Sequence, residues 1–266
     1  MIKKTIPCIF LLLISFISHA EIKSMSILYT NDLHSHLLPS IQTRISETRP
    51  VGGFANIATL VREKKLSDPD TIYIDSGDYF SGPYVSTLTN GAAVIESMNY
   101  LGLDVACIGN HEFDHGWENT LEQLNKANFP IVNGNIFYKN SDQLFWDNPY
   151  VILNKAGLKI GVIGLHGKFA FYDTINFKMI EAIETRDEVY YLKKYIAELK
   201  PITDIIILSV HGGMPGRQSS VGLSDVERSL YADIMLAKEV SDLDIIITGH
   251  AHTGTPQALI SNDTII

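Results

Sequence analysis

The sequence predicts an α/β protein. Short apolar runs alternate with helix-period segments along the whole chain, no internal repeat or interdomain linker interrupts them, and five of the apolar runs end in polar clusters rich in Asp, Asn and His. In open α/β sheets ligands sit beyond the carboxyl ends of the strands, so clusters in those positions can converge on one site.

Residues 1–20 stand apart from this pattern. Lys3-Lys4 is a short basic segment, residues 6–17 form an apolar run too short to span a bilayer comfortably, and Ser18-His19-Ala20 suits cleavage before Glu21. The expectation is a signal peptide at 1–20, no stable membrane insertion after its removal, and a secreted or periplasmic domain over 21–266. Cys8 lies inside the apolar run and not at its end, which argues against a lipid-modified N-terminus. Without the leader, the chain holds 19 basic and 30 acidic residues, net −11, and a single cysteine, Cys107. A lone cysteine makes no internal disulfide, and its place in an apolar strand suggests packing and not reactivity. The acidic balance argues against nonspecific nucleic-acid binding. It leaves room for a small anionic substrate, because bound divalent cations can invert the local sign.

In chain order, residues 26–30 read as a strand that runs into Asn31-Asp32-Leu33-His34-Ser35-His36. Asp32 and His34 are two apart, on one side of extended chain, so one metal ion could take both, while His36 falls on the rim. Gly52-Gly53 opens an amphipathic helix carrying Phe54, Ile57, Ala58, Val61 and Leu66, with Arg62-Glu63-Lys64-Lys65 on its solvated face. Residues 71–75 form the next strand and lead to Ser76-Gly77-Asp78, where Gly77 permits a sharp turn. Spacing alone does not separate Asp75 from Asp78 as a ligand. A helix over 92–101 and a strand over 104–108 then deliver Gly109-Asn110-His111-Glu112-Phe113-Asp114. An Asn side-chain oxygen can bind a metal, the next His can reach what the metal binds, and Asp114 can fix the tautomer of that His. Taken by itself the stretch reads equally well as a strand-to-helix turn capped by Asp114.

A helix over 117–127 is followed by Pro130, which ends helical structure before the short strand Ile131-Val132 and a turn at Asn133-Gly134-Asn135. Residues 150–154 and 158–165 flank Lys155-Ala156-Gly157 as a hairpin ending at His166, which has no local partner as a ligand. Residues 167–183 show no period and read as a long surface excursion; 188–199 is helical and stops at Pro201. The strand over 203–210 ends in His211-Gly212-Gly213, a polar loop covers 214–222, and Ser224 starts a helix with Asp225 and Glu227 in its first turn. The last clear strand, 244–248, delivers Gly249-His250-Ala251-His252, two imidazoles on one side of extended chain. Too many ligands are gathered for one four-coordinate ion, which points to two ions sharing a carboxylate.

The order Asp-x-His, Gly-Asp, Gly-Asn-His-Glu, His, Gly-His-x-His resembles the calcineurin-like metallophosphoesterases. TNDLHSH, GNHEFD and GHAHT are similar to their 5'-nucleotidase and UDP-sugar hydrolase branch, over nearly all of 27–253. The resemblance implies a four-layer α/β/β/α sandwich with two mixed sheets. It implies one metal site from Asp32, His34, Asp78 and His252 and a second from Asp78, Asn110, His211 and His250, with Asp78 shared and therefore preferred to Asp75. His111 and Asp114 match the family's catalytic pair. The implied activity is a dinuclear phosphohydrolase acting on a nucleotide or related phosphoester, with a metal-bridging hydroxide attacking phosphorus in line; mixed N and O ligands suit Zn²⁺, Mn²⁺ or a similar ion. His111 would stabilise the transition state or protonate the leaving oxygen. Cyclic nucleotide diesters, or a sulfur ester, are the alternative substrates on the same core, and an inactive metal-binding remnant is the alternative to an enzyme. Members of this branch carry a C-terminal domain that supplies the nucleoside pocket. The expectation is that this domain is absent here, and 257–266 reads as the start of a hairpin whose strands continue, so a truncated chain is expected.

Overall fold

The computed structural model describes residues 22–213, 224–255 and 257–266. The signal peptide expected at 1–20 and the loop expected at 214–222 lie outside the described residues. In chain order the elements are β1 Ser26–Thr30, β2 Ser40–Gln42, β3 Ser46–Val51, α1 Phe54–Ser67, β4 Thr71–Asp75, α2 Tyr84–Thr89, α3 Ala92–Met98, β5 Val105–Cys107, α4 Trp117–Leu124, β6 Ile131–Val132, β7 Ile136–Tyr138, β8 Tyr150–Lys155 and β9 Leu158–His166. They continue with α5 Lys168–Thr174, β10 Ile183–Thr185, α6 Glu188–Leu199, β11 Ile205–His211, α7 Asp225–Ser229, α8 Tyr231–Glu239, β12 Ile245–Gly249, β13 Ile260–Ser261 and β14 Thr264–Ile265; 3₁₀ turns cover His111–Phe113 and Phe177–Ile180.

Two sheets dominate. One has the order β1-β4-β5-β6 and is parallel throughout. The other, β13-β14-β12-β11-β9-β8, is mixed: β9, β11, β12 and β14 are parallel, with an antiparallel strand at each edge. Strands buried on both faces become continuous apolar runs, and Ile205-Ile206-Ile207-Leu208 is such a run. Between the sheets, Ile72, Ile74, Val105 and Val132 pack on Ile160, Val162, Ile207 and Ile247. Each such aliphatic side chain contributes roughly 1.5–3 kcal/mol on burial. Outside the first sheet Phe54, Val61, Val94, Ile95, Met98 and Leu124 bring in α1, α3 and α4; outside the second, Leu192, Ile196, Leu236 and Ala237 bring in α6 and α8. The result is helix, sheet, sheet, helix.

The carboxyl ends of the two sheets meet at one end of the sandwich. Ser76 Oγ lies 2.9 Å from Ser209 Oγ and 3.2 Å from the Ile247 carbonyl, which ties the end of β4 to β11 and β12. Ser224 accepts from the Glu227 N–H while Glu227 returns a bond to the Ser224 N–H, so α7 begins in the expected place.

Several expectations are corrected. Residues 167–183 are not a surface excursion without regular structure: α5 and a 3₁₀ turn fill the segment, and Ala170, Phe171, Ile175 and Ile180 are buried. The chain bends at Asn133-Gly134-Asn135 as expected, but the bend lies inside the protein. Asn133 and Asn135 are fully buried, and Asn135 bonds both the N–H and the carbonyl of His166, anchoring the end of β9. Leu66, placed on the apolar face of α1, is exposed; the helix buries Phe54 and Val61. The predicted helices over 92–101 and 117–127 each end three residues early, at Met98 and Leu124.

Candidate metal centre

The site residues stand at or just past the ends of strands of the two-sheet core, His211 as the last residue of β11, and the turns that carry the others are tight. Asp32, His34, Asp78, His250 and His252 all have positive φ, between 41° and 79°. Non-glycine residues in this region cost roughly 1–3 kcal/mol each, which surrounding contacts must hold, and such residues concentrate at functional sites. Here the contacts are visible. The Asp32 and His34 N–H groups donate to the Gly77 and Asp78 carbonyls at 2.9 Å, stitching the β1 turn to the β4 turn. The His250 N–H donates to both Asp32 oxygens at 3.0–3.1 Å, stitching β12 to β1 across the two sheets.

The side chains converge. Asp32, His34 and His252 form one cluster of potential ligands, Asp78, His211 and His250 another, and His34, Asp78 and His111 a third, each with its atoms within 4.8 Å of one another. Asp78 belongs to two of them. Its Oδ2 lies 3.0 Å from His211 Nε2 and 4.0 Å from His34 Nε2, while its Oδ1 is held by the His111 N–H at 2.8 Å. Asn110 Oδ1 is 3.0 Å from His211 Nε2, on the same side as the second cluster. His252 Nε2 is 3.2 Å from Asp32 Oδ1 and 3.0 Å from His34 Nε2. Asp75 and Asp78 differ in direction: Asp75 is buried, accepts from Thr30 Oγ1 at 2.6 Å and the Gly77 N–H at 3.0 Å, and joins none of these clusters. His36 also stays outside them, on the rim, as does His166, buried behind His211 with its ring against Phe171.

The donor set suits a divalent cation. Two carboxylates, an amide oxygen and four imidazoles are mixed O and N ligands. His250 Nε2 is buried without a hydrogen-bond partner, the signature of a nitrogen built to face something else. Burial lowers the His34 pKa, and burial with His211 nearby lowers His250 to about 4, so both rings offer a bare nitrogen at neutral pH. The His211 Nδ1 faces the Ser76 carbonyl at 2.7 Å, which leaves Nε2 for the cluster. Burial opposes charge on both Asp78 and His211, yet their mutual attraction prevails: Asp78 is held well below the usual carboxylate range and His211 is pushed up to about 9.

In the third cluster, His111 Nδ1 lies 2.7 Å from Asp114 Oδ2, and the Ser81 hydroxyl donates to the same oxygen. Burial opposes the imidazolium, but the Asp114 hydrogen bond and the Asp78 charge push the His111 pKa up to about 9. Glu112, named in the sequence only as part of its motif, proves central: it is fully buried and accepts four backbone N–H bonds, from Asp78, Tyr79, Phe80 and Gly109. Its position after His111 was the only signal. A cavity of about 820 Å³ opens beside Asp32, His34 and His252, walled by Tyr29, Ile247 and Thr253.

The family comparison agrees with this architecture. The calcineurin-like phosphoesterase model matches residues 25–254, and the chain belongs to that family. It is 30% identical over 238 residues to the 5'-nucleotidase of Bos taurus, covering 86% of this chain and 38% of that protein. The structure of the Haemophilus influenzae NAD nucleotidase is similar at 27% identity and a TM-score of 0.68, covering 86% of this chain and 38% of the other. A 5'-nucleotidase precursor from Thermus thermophilus shares the fold at 22% identity and a TM-score of 0.73, covering 91% and 48%. The chain therefore spans less than half the length of these relatives. Among the described residues no helix is long and apolar enough to cross a membrane.

Proposed function

We propose that this chain carries the dinuclear metal centre of a phosphohydrolase of the 5'-nucleotidase type. The observation that carries the reading is the position of Asp78, which joins His211 and His250 in one ligand cluster and His34 and His111 in another, while His34 also belongs to the cluster of Asp32 and His252. One cation would be held by Asp32, His34, Asp78 and His252, the other by Asp78, Asn110, His211 and His250. Bound there, two divalent cations would acidify water and neutralise phosphoryl oxygens. The protein groups do the rest. His111, with Nδ1 committed to Asp114, keeps Nε2 for the substrate and is cationic at neutral pH, so it donates to a phosphoryl or leaving oxygen as charge develops. The paired turns hold these groups before substrate arrives, so little reorganisation is required.

The substrate reading is supported by the relatives, several of which are named 5'-nucleotidases; a small nucleotide phosphoester is the expected substrate, and no nucleic acid. The leader-like residues 1–20 support a secreted or periplasmic site of action. The test is phosphate release from AMP, UDP-glucose and bis-p-nitrophenyl phosphate with added Mn²⁺ or Zn²⁺, beside a His111→Ala control. Metal-dependent turnover that is lost in the control supports the reading, and the preferred substrate ranks monoester against diester. A protein that takes up no metal overturns it.

A further inference from the structure

Glu112 is a carboxylate at the centre of the site that, among the described residues, touches no other ionisable side chain at hydrogen-bond distance. It is fully buried, and all its bonds are to main chain: Oε2 accepts from the Gly109 N–H at 2.6 Å and the Asp78 N–H at 3.0 Å, and Oε1 accepts from Tyr79 at 2.9 Å and Phe80 at 3.0 Å. Both oxygens are thus spent, and Glu112 joins none of the ligand clusters. The loop it grips is the one that needs gripping. Asp78 has φ +61 and Ser81 φ +57, conformations that non-glycine residues leave unless held. The packing is close: a Cβ on Gly109 would lie 2.4 Å from both the Asp78 nitrogen and its Oδ1, and 2.9 Å from Glu112 Oε2.

The same carboxylate therefore joins the turn after β4 to the turn after β5. On one side is Asp78; on the other are Asn110 and His111, within two residues of Glu112 in sequence. With the His111 N–H fixing Asp78 Oδ1, the brace leaves Oδ2 aimed between the two clusters.

We propose that Glu112 is a positioning residue for the dinuclear centre: it sets the backbone of Asp78 so that one carboxylate serves both cations. This rests on Asp78 being the shared ligand. Loss of the brace should weaken the second metal site selectively, because the first retains Asp32, His34 and His252, which Glu112 does not touch.

The test uses the full chain stripped of metal and titrated with Mn²⁺ alone. Glu112→Gln keeps the size but replaces one acceptor oxygen by an amide that cannot accept, leaving two of the four N–H groups unpaired. The readouts are Mn²⁺ stoichiometry and affinity, and the electron paramagnetic resonance signal of a spin-coupled Mn²⁺ pair. Wild type should bind two equivalents with a coupled signal. Glu112→Gln should bind the first equivalent within about twofold of wild type, bind the second at least tenfold more weakly, and lose the coupled signal. Ile207→Val, a buried change between the sheets, should lower the melting temperature and leave the coupling intact, which separates positioning from general loss of stability. If Glu112→Gln does not fold, Glu112→Asp serves: it keeps both acceptors one methylene short, and the coupled signal should again be lost. Coupling and second-site affinity unchanged in a folded Glu112 variant overturn the proposal. A wild type that binds two uncoupled ions overturns the shared ligand beneath it instead, and the proposal with it.

Discussion

Asp114 takes two hydrogen bonds on one oxygen, from His111 Nδ1 at 2.7 Å and from the Ser81 hydroxyl, so the orientation of the His111 ring depends on a residue three positions along the chain and on a serine from a different turn. The pair has a pH signature. Because Asp114 and Asp78 raise the His111 pKa above its ordinary 6.5 to about 9, the pair's contribution to stability is complete below pH 6.5 and is lost as pH rises through about 9. Asp114→Asn should flatten this part of the melting-temperature profile of the metal-free protein. It should also lower kcat by about 10²-fold, the range of a general acid deprived of its orienting partner. A variant with wild-type kcat would remove His111 from the chemistry.

Ser81 gives a smaller and more specific prediction. Ser81→Ala leaves Asp114 with one donor, and losing a hydrogen bond to a charged group at a part-exposed position costs on the order of 1.5 kcal/mol, about tenfold in rate. The loss should fall on kcat with KM within twofold, and Ser81→Thr, which restores the hydroxyl, should recover most of it. A rise in KM alone would mean that Ser81 shapes substrate binding and not the His111 ring.

Cys107 is enclosed at the end of β5, and burial pushes its thiol up to about 12. A thiol so far from ionising is inert at neutral pH. Peptide mapping after treatment with iodoacetamide should find Cys107 unmodified in the native protein and fully modified after denaturation. Rapid native labelling would mean that the β5 end opens, and with it the turn that carries Asn110.

The convergence of the candidate ligands was legible in the sequence because they stand at strand ends with fixed spacing. Asp32 with His34 and His250 with His252 follow apolar runs, β1 and β12, which pair parallel with β4 and β11 in separate sheets, and the His250 N–H bonds to Asp32 join the two ends. What the spacing could not give was direction. Asp75 and Asp78 are three apart, and only the turn at Gly77 shows that one bonds its own loop while the other faces the clusters. The role of Glu112 was equally hidden, since its partners are backbone N–H groups from another loop, and no side-chain pattern records those. The elements missed outside the site have different causes. The β2–β3 hairpin is exposed along nearly all of its length, so no apolar run marks it; the β7–β10 pair is short, joins residues more than forty apart and is held by Asn135, a buried amide whose sequence neighbourhood reads as a turn. In residues 167–183 the aromatics divide, with Phe171 buried and Phe177 exposed, so no helical period survives.

Metal uptake should be coupled to a proton, and the structure identifies which one. In the metal-free protein His211 is pushed up to about 9 by Asp78, 3.0 Å away, so at pH 7 the ring holds a proton between them. A cation needs that nitrogen bare and must displace the proton. His34 and His250 release none at that pH, because burial has lowered both and their nitrogens are already free. Affinity of the second site should therefore rise with pH from 6 to about 9 and level off above it, with near one proton released per chain at pH 7. Calorimetric titration with Mn²⁺ in two buffers of different ionisation enthalpy measures that number directly. The bound ion should also raise the melting temperature, since a ligand at 100 times its Kd adds about 2.7 kcal/mol to the folded state. His211→Ala should abolish the proton release and the part of the added stability that the second site contributes. Binding that is tight but independent of pH over this range would place the metal on Asp32, His34 and His252 alone, leaving the second cluster as a structural ion pair.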